Sequence, residues 1–278
     1  MGAQTTSYGQ AMTIAAAAPT PSTAGAQGEY RLSTDSSVAY ICLDATADAA
    51  IWAPINGLGK LSATLHSPLC LYHLDGDIND SSGNGLNLSI GAGSAVYSSM
   101  GGRKSFRFTG ASYLERSSND ASLTLTGDAT WMLVMSHLNP FSANTPMSFG
   151  GNSSGAAENI LYSFATNAAG GLVFTHHTGT RSAQTHTSAD GYIGGGFGQH
   201  VAIVRSSNTI AIYVDGIQVG TTSSALSAAA GGGSSKLIIG AAEDGGSKFL
   251  GAISEVAIYG SALTAAQVRA QSLRTVGR

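Results

Sequence analysis

From about residue 67 onward, apolar and polar positions alternate in short runs separated by glycine-rich breaks. In the run beginning at Ile210, residues Ile210, Ile212 and Val214 fall on one face and Ala211, Tyr213 and Asp215 on the other, which is the period of a half-buried strand. Asp215-Gly216 then supplies the dipeptide that a two-residue hairpin favours, because both central residues of that turn need positive φ. The same reading gives strands at "LCLYHLDG", "SFRFTG", "SYLERS", "GLVFTHH", "GQHVAIVRSS", "KLIIGAA" and "ISEVAIYG", with "ATWMLVMSHL" as a strongly apolar central strand. Strands at this spacing predict an all-β, two-sheet antiparallel sandwich. One helix is predicted, at the end: Thr264-Ala265-Ala266-Gln267 is a capping box, and Ala265, Val268 and Leu273 offer a partial apolar face.

Before residue 67 the pattern changes. Residues 1–28 are Ala, Thr, Ser, Gly and Pro without period; such a segment buries too little apolar area to order itself, and it is expected to be an extended docking arm lying on other surfaces. Residues 29–66 form a small β module of three strands, "GEYRLS", "SVAYICLD" and "AAIWAPI", which needs a neighbour to pack against. Residues 67–278 are then the sandwich and its helix.

Composition narrows the function classes. With 37 glycines and no long Leu/Glu/Lys/Ala run, the 278-residue chain favours β structure. Only 10% of residues are charged and the net charge is -3, so no basic surface is available to neutralise a phosphate backbone, and nucleic acid is excluded as an expected partner. No apolar run reaches the roughly 18–20 residues of a membrane span. The N-terminal "AMTIAAAAPTPSTAGA" is not expected to act as a signal peptide, because no Lys or Arg precedes Arg31 and Pro19 and Pro21 interrupt the apolar part. Cys42 and Cys70 are too few for a disulfide framework and are expected to be buried, reduced thiols.

Five motifs in order resemble the concanavalin A-like lectin superfamily, in particular laminin G-like jelly rolls. They are "LYHLDGDINDSSGNGLNLS", "GRKSFRFTGASYLE", "DATWMLVM", "QHVAIVRSSNTIAIYVDGIQVG" and "FLGAISEVAIYGSALTAAQVRA". The resemblance covers about 200 residues. It implies two antiparallel sheets, one of them concave, with ligands met on that face or at loops along one edge. Separately, "AYICLDATADAAIWAPI" in the small module resembles a short element of tailed-phage virion proteins, found near the N-terminus of fibres and spikes.

The glycosidases that use such a jelly roll place their acids in a Glu-x-Asp-x-x-Glu strand pattern, and none of Glu29, Glu115, Glu158, Glu243 or Glu255 begins one, so no enzyme is expected. A G-x-S-x-G elbow and a phosphate loop are both missing from the sequence. Calcium is the most plausible ion, since the resemblance implies one held between loops: Asp75, Asp77 and Asp80, with Asn79, place hard oxygen ligands within six residues. The alternative is an Asx-rich turn capping its own backbone; the family also usually carries an Asp where this chain has Ser254. His176, His177 and His186 are expected on a polar strand edge rather than around a metal, because adjacent strand residues point to opposite faces. His200 is expected to be a framework residue. Trp131 is expected in the core, and Tyr113, Tyr162 and Tyr192 are the candidate platforms for a sugar ring.

These readings combine into an expectation of a non-catalytic structural protein on a phage virion surface, assembled in the host cytoplasm. Residues 1–66 would contact other virion proteins, and the jelly roll would be displayed for host or environmental glycans. Capsid decoration is the first placement, a tail appendage or a free carbohydrate-binding lectin the alternatives, and a homo-oligomer, by analogy a trimer, the assembly.

Overall fold

The structure, a computed structural model, describes residues 4–5, 11–15, 30–33, 38–44, 51–54, 66–100, 102–116, 121–139, 142–151, 160–177, 183–195, 198–207, 209–220, 235–242 and 244–276. They belong to two compact units, one drawn from residues 1–61, 215–217 and 264–278, the other from residues 62–214 and 218–263.

The first unit contains a sheet whose strands lie side by side in chain order: β1 (Gln4–Thr5), β2 (Ala11–Ala15), β3 (Tyr30–Ser33), β4 (Val38–Asp44) and β5 (Ile51–Pro54). Strands β3 to β5 coincide with the three runs expected for the small module. Strand β2 pairs in parallel with β3, Met12 opposite Tyr30, while the other pairs are antiparallel. The stretch expected to be a separate arm therefore contributes two strands to the module's own sheet. Backbone hydrogen bonding accounts for this, since ladder pairing needs no long apolar period, and β2 carries Met12 and Ile14 in alternation. The helix α1 (Ala265–Val276) packs on β4 and β5 of this same unit. Its start is the expected capping box: Gln267 N–H donates to Thr264 Oγ1 at 3.2 Å and Thr264 N–H donates to Gln267 Oε1 at 2.7 Å.

The second unit is a sandwich of two antiparallel sheets. Its strands are β6 (Cys70–Tyr72), β7 (Ser89–Ala92), β8 (Tyr97–Met100), β9 (Arg103–Thr109), β10 (Tyr113–Arg116), β11 (Ala129–His137), β12 (Asn144–Gly151), β13 (Ile160–Thr166), β14 (Leu172–His177), β15 (Ala183–Thr187), β16 (Gln199–Ser206), β17 (Thr209–Val214), β18 (Ile217–Gln218), β19 (Ser235–Ile239) and β20 (Leu250–Tyr259). One sheet runs β15-β14-β13-β12-β19-β10-β7; the other runs β18-β17-β16-β11-β20-β9-β8, with β6 also paired to β20. The β17–β18 hairpin turns at Asp215-Gly216 with φ of 49° and 76°, as its dipeptide requires.

The core lies between the sheets. Trp131 on β11 meets Tyr162 on β13 and Phe174 on β14, each at 5.0 Å between ring centroids. Arg205 lies over the same indole at 5.4 Å and donates to the carbonyls of Gly127 and Leu125 at 2.6 Å each. Its charge is therefore buried with the donors engaged, which is the condition for burying it at all. Trp131 and Cys70 are buried as expected; the side chains of Cys42, Trp52 and His177 lie outside the described part.

Candidate functional site

The alternation that drives Phe106 and Phe108 of β9 into the core aims Arg107 at the other side of the sheet. Arg107 stands opposite Ala252 of β20, which stands opposite Ser136 of β11, so three strands contribute one cross-strand row. The middle member is only a methyl group, and the row sinks between larger neighbours. The result is a cleft of about 250 Å³. Strand β8 supplies one wall through Ser98, Ser99 and Met100, and Leu138, 56% exposed, stands at another. Beside the row, Gly251 lets the strands approach: a Cβ there would collide with the Ser136 carbonyl oxygen and the Phe249 ring.

Two polar groups of this cleft are uncommitted. Ser136 is only 6% exposed, yet its hydroxyl has no hydrogen-bond partner among the described residues. The hydroxyl opens onto the cleft, where water or a ligand can take it up. Arg107 forms no ion pair among the described residues, and it is the one ionisable side chain lining the cleft. Ser98 and Ser105 are engaged with each other, their hydroxyls 3.4 Å apart. Serine hydroxyls, a guanidinium and the apolar surfaces of Met100 and Leu138 together suit a ligand with a polar rim and a C–H face.

The three expected sugar platforms are not brought together. Tyr162 is 1% exposed, stacked on Phe149 with centroids 5.1 Å apart, and burial holds its phenol well above the usual tyrosine range. It is a core residue with no face left for a sugar, because the inward phase of β13 decides its side. Tyr113 is half-buried, its ring lying over Gly91 on the outer face of the other sheet, away from Arg107. Tyr192 is 41% exposed in the turn after β15. Neither lines the cleft.

The expected calcium ligands are used otherwise. Asp80 Oδ1 accepts from the N–H groups of Leu71 and Ser82, and Oδ2 from the Ser82 hydroxyl and the Leu86 N–H, all at 2.8–3.0 Å. Burial alone would raise this carboxyl, but those four donors outweigh it and hold it below the usual carboxylate range. Asp77 Oδ1 accepts from Asn79 N–H at 2.9 Å. Asp75 and Asp77 act on Tyr97, whose phenol is raised by burial and then by these two charges. The Asx-turn alternative accounts for the loop. Among the described residues no three His, Cys, Asp or Glu side chains form a metal-binding group.

The remaining chemistry-bearing residues are structural in their settings. Glu255, 1% exposed, accepts from Arg103 at 2.7 Å and pairs with His73 at 2.6 Å. Glu115 pairs with Lys236 at 3.3 Å on the other sheet. His176 and His186 depart from the expected polar edge: both are buried and their rings stack at 5.6 Å and 10° next to Phe174. The inward register that places Phe174 opposite His186 carries them inside. His200, fully buried, is driven down to about 3 and is neutral, as a framework residue should be. His137 is lowered to about 4 by burial; its Nδ1 accepts from Asn139 N–H, which assigns the proton to Nε2, 3.2 Å from Thr166 Oγ1.

Arg107, Ser136 and Leu138 were not singled out from the sequence. Alternation in "SFRFTG" does put Arg107 opposite the phenylalanines, but the row it joins exists only once β9, β20 and β11 are paired.

With this geometry in hand, comparison with known proteins gives three findings. A family model described as the concanavalin A-like lectin/glucanases superfamily matches residues 108–269. No curated protein matches the sequence. Among solved structures, similarity extends to domain 4 of AbnA, a GH43 extracellular arabinanase from Geobacillus stearothermophilus, in complex with arabinotriose: 17% identity, TM-score 0.56, covering 74% of this chain and 98% of that one. The binding domain of Paraclostridial Mosquitocidal Protein 1 is similar at 15% identity and TM-score 0.59, covering 74% of this chain. The binding domain of botulinum neurotoxin DC in complex with SialylT is similar at 14% identity and TM-score 0.57, covering 76%. The matches span only about half of the two toxin domains, 52% and 51%. At these identities the likeness concerns the fold.

Proposed function

Because the chain belongs to the concanavalin A-like lectin/glucanases superfamily, matched over more than half its length, we propose that its jelly roll is a non-catalytic glycan-binding module. The observation that carries this reading is the cleft on β8, β9, β20 and β11, with its partnerless Ser136 hydroxyl and no carboxylate in its lining. A retaining or inverting hydrolase would need two carboxyl groups about 5–10 Å apart flanking the bond. Glu115 and Glu255 instead belong to different sheets and each is held by a cation. The similar structures support binding, since one was solved with arabinotriose and another with SialylT.

The test is a saccharide panel against the full chain and against Ser136→Leu, which fills the cleft floor. Binding by the parent chain, lost in a variant with an unchanged melt, is the expected result. Absence of binding to every saccharide, or equal binding by both chains, refutes it.

The setting we propose is a virion surface, with capsid decoration the first placement and a tail appendage the second. The support is the resemblance of "AYICLDATADAAIWAPI" to a virion element and the separate N-terminal unit that contains it. Mass spectrometry of purified particles is the check: a chain absent from virions leaves the free lectin.

A further inference from the structure

We propose that the cleft selects a saccharide carrying a carboxylate, with Arg107 as the group that receives it. This rests on the glycan-binding reading and specifies its ligand class. Every lining residue other than Arg107 is uncharged: three serines, Met100, Leu138, Gly251 and Ala252. Nothing among the described residues neutralises the guanidinium, since the nearby-strand carboxylate Glu255 is taken by Arg103 and His73. An uncompensated cation at the mouth of a small cleft raises the local concentration of anions. Its planar fork of N–H donors matches a carboxylate in two parallel hydrogen bonds, a geometry that an ammonium does not supply.

The rest of the row sets the size and the register of the ligand. Directly across from Arg107, Ala252 contributes only a methyl group, and beyond it the Ser136 hydroxyl awaits a partner. A pyranose lying along the row would place its carboxylate at Arg107, its C–H face over Ala252 and a ring hydroxyl at Ser136, with Ser98 and Ser99 along one side. A volume of about 250 Å³ is below the roughly 300–1,000 Å³ of pockets for drug-sized ligands, which fits one sugar residue of a longer chain. A uronate within a polysaccharide presents such a unit.

The experiment uses the full chain and matched oligosaccharides by isothermal titration calorimetry: an oligogalacturonate, its methyl ester, a neutral oligogalactose and a sulfated oligogalactose. The oligogalacturonate is expected to bind about tenfold or more tighter than the methyl ester or the neutral sugar, the range that loss of a charge-assisted hydrogen bond produces. Arg107→Gln should bring it to the neutral sugar's level and Arg107→Lys should restore only part, both with the parent's melt. The methyl-ester comparison needs no variant and decides the matter even if one fails to fold. Equal binding of the neutral sugar, or undiminished binding by Arg107→Gln, overturns the carboxylate assignment while leaving the glycan reading intact. Preference for the sulfated sugar also overturns it, and silence from all four ligands alongside a negative wider panel removes both.

Discussion

Replacing Glu255 tests whether the buried carboxylate holds the sandwich together or does chemistry. Its two oxygens tie β20 to β9 through Arg103 at 2.7 Å and to the residue just after β6 through His73 at 2.6 Å, so one side chain pins three segments. Breaking a buried ion pair by removing one partner costs about 3–5 kcal/mol. Arg103 and His73 keep 11% and 19% of their side-chain exposure, so water recovers part of this, and Glu255→Gln is expected to cost about 2–3 kcal/mol. At about 2–4 °C per kcal/mol for a domain of this size, the melt should fall by about 5–10 °C. A double-mutant cycle by urea denaturation, with Glu255→Met, Arg103→Met and the pair, should return a coupling energy of about 1–3 kcal/mol. Additivity within about 0.5 kcal/mol would refute the structural role. A Glu255→Gln protein with an unchanged melt and a lost hydrolytic activity would show that the carboxylate acts on a substrate.

Three further outcomes are expected. Asp80→Asn keeps one acceptor but leaves the Leu86 N–H without its own, while the Ser82 hydroxyl keeps the Leu69 carbonyl at 3.2 Å, costing about 1–3 kcal/mol; millimolar Ca²⁺ or EDTA should leave the parent melt in place, and a Ca²⁺-induced rise would support the ion-binding reading. His137 and His200 are held neutral at about 4 and about 3 against an ordinary 6.5. The unfolded chain therefore binds more protons below 6.5, and stability is complete above that pH and falls on the order of a few kcal/mol as pH drops toward 4 and then 3; a melt flat from pH 7 to 4 would contradict this. Gly216→Ala should cost about 1–2 kcal/mol, because φ is +76° and the new Cβ would lie 3.0 Å from Arg269 Cα; an unchanged melt would show the turn to be unstrained.

What local period and turn chemistry control is readable along the chain before any tertiary contact forms. The alternation in "TIAIYV" and the Asp215-Gly216 turn specify a hairpin wherever it sits, and the capping box at Thr264 specifies a helix start. The apolar run Trp131–Met135 marks a central strand, and all nine residues of Ala129–His137 are buried. The Asx-rich loop was legible in kind, but whether its oxygens face a cation or the chain's own N–H groups turned on Leu71 and Leu86 folding over Asp80. Tyr162 and Tyr113 read alike in sequence; a phase of one residue along a strand buried the first among Phe149 and Trp131 and left the second half-exposed. The candidate site lay furthest from the sequence. Arg107, Ala252 and Ser136 are separated by more than a hundred residues at the widest, and only antiparallel pairing of β9, β20 and β11 sets them in one row. Alternation tells each strand which side is out, but a cleft is a property of neighbouring strands, and neighbours in a sheet are chosen by the whole fold.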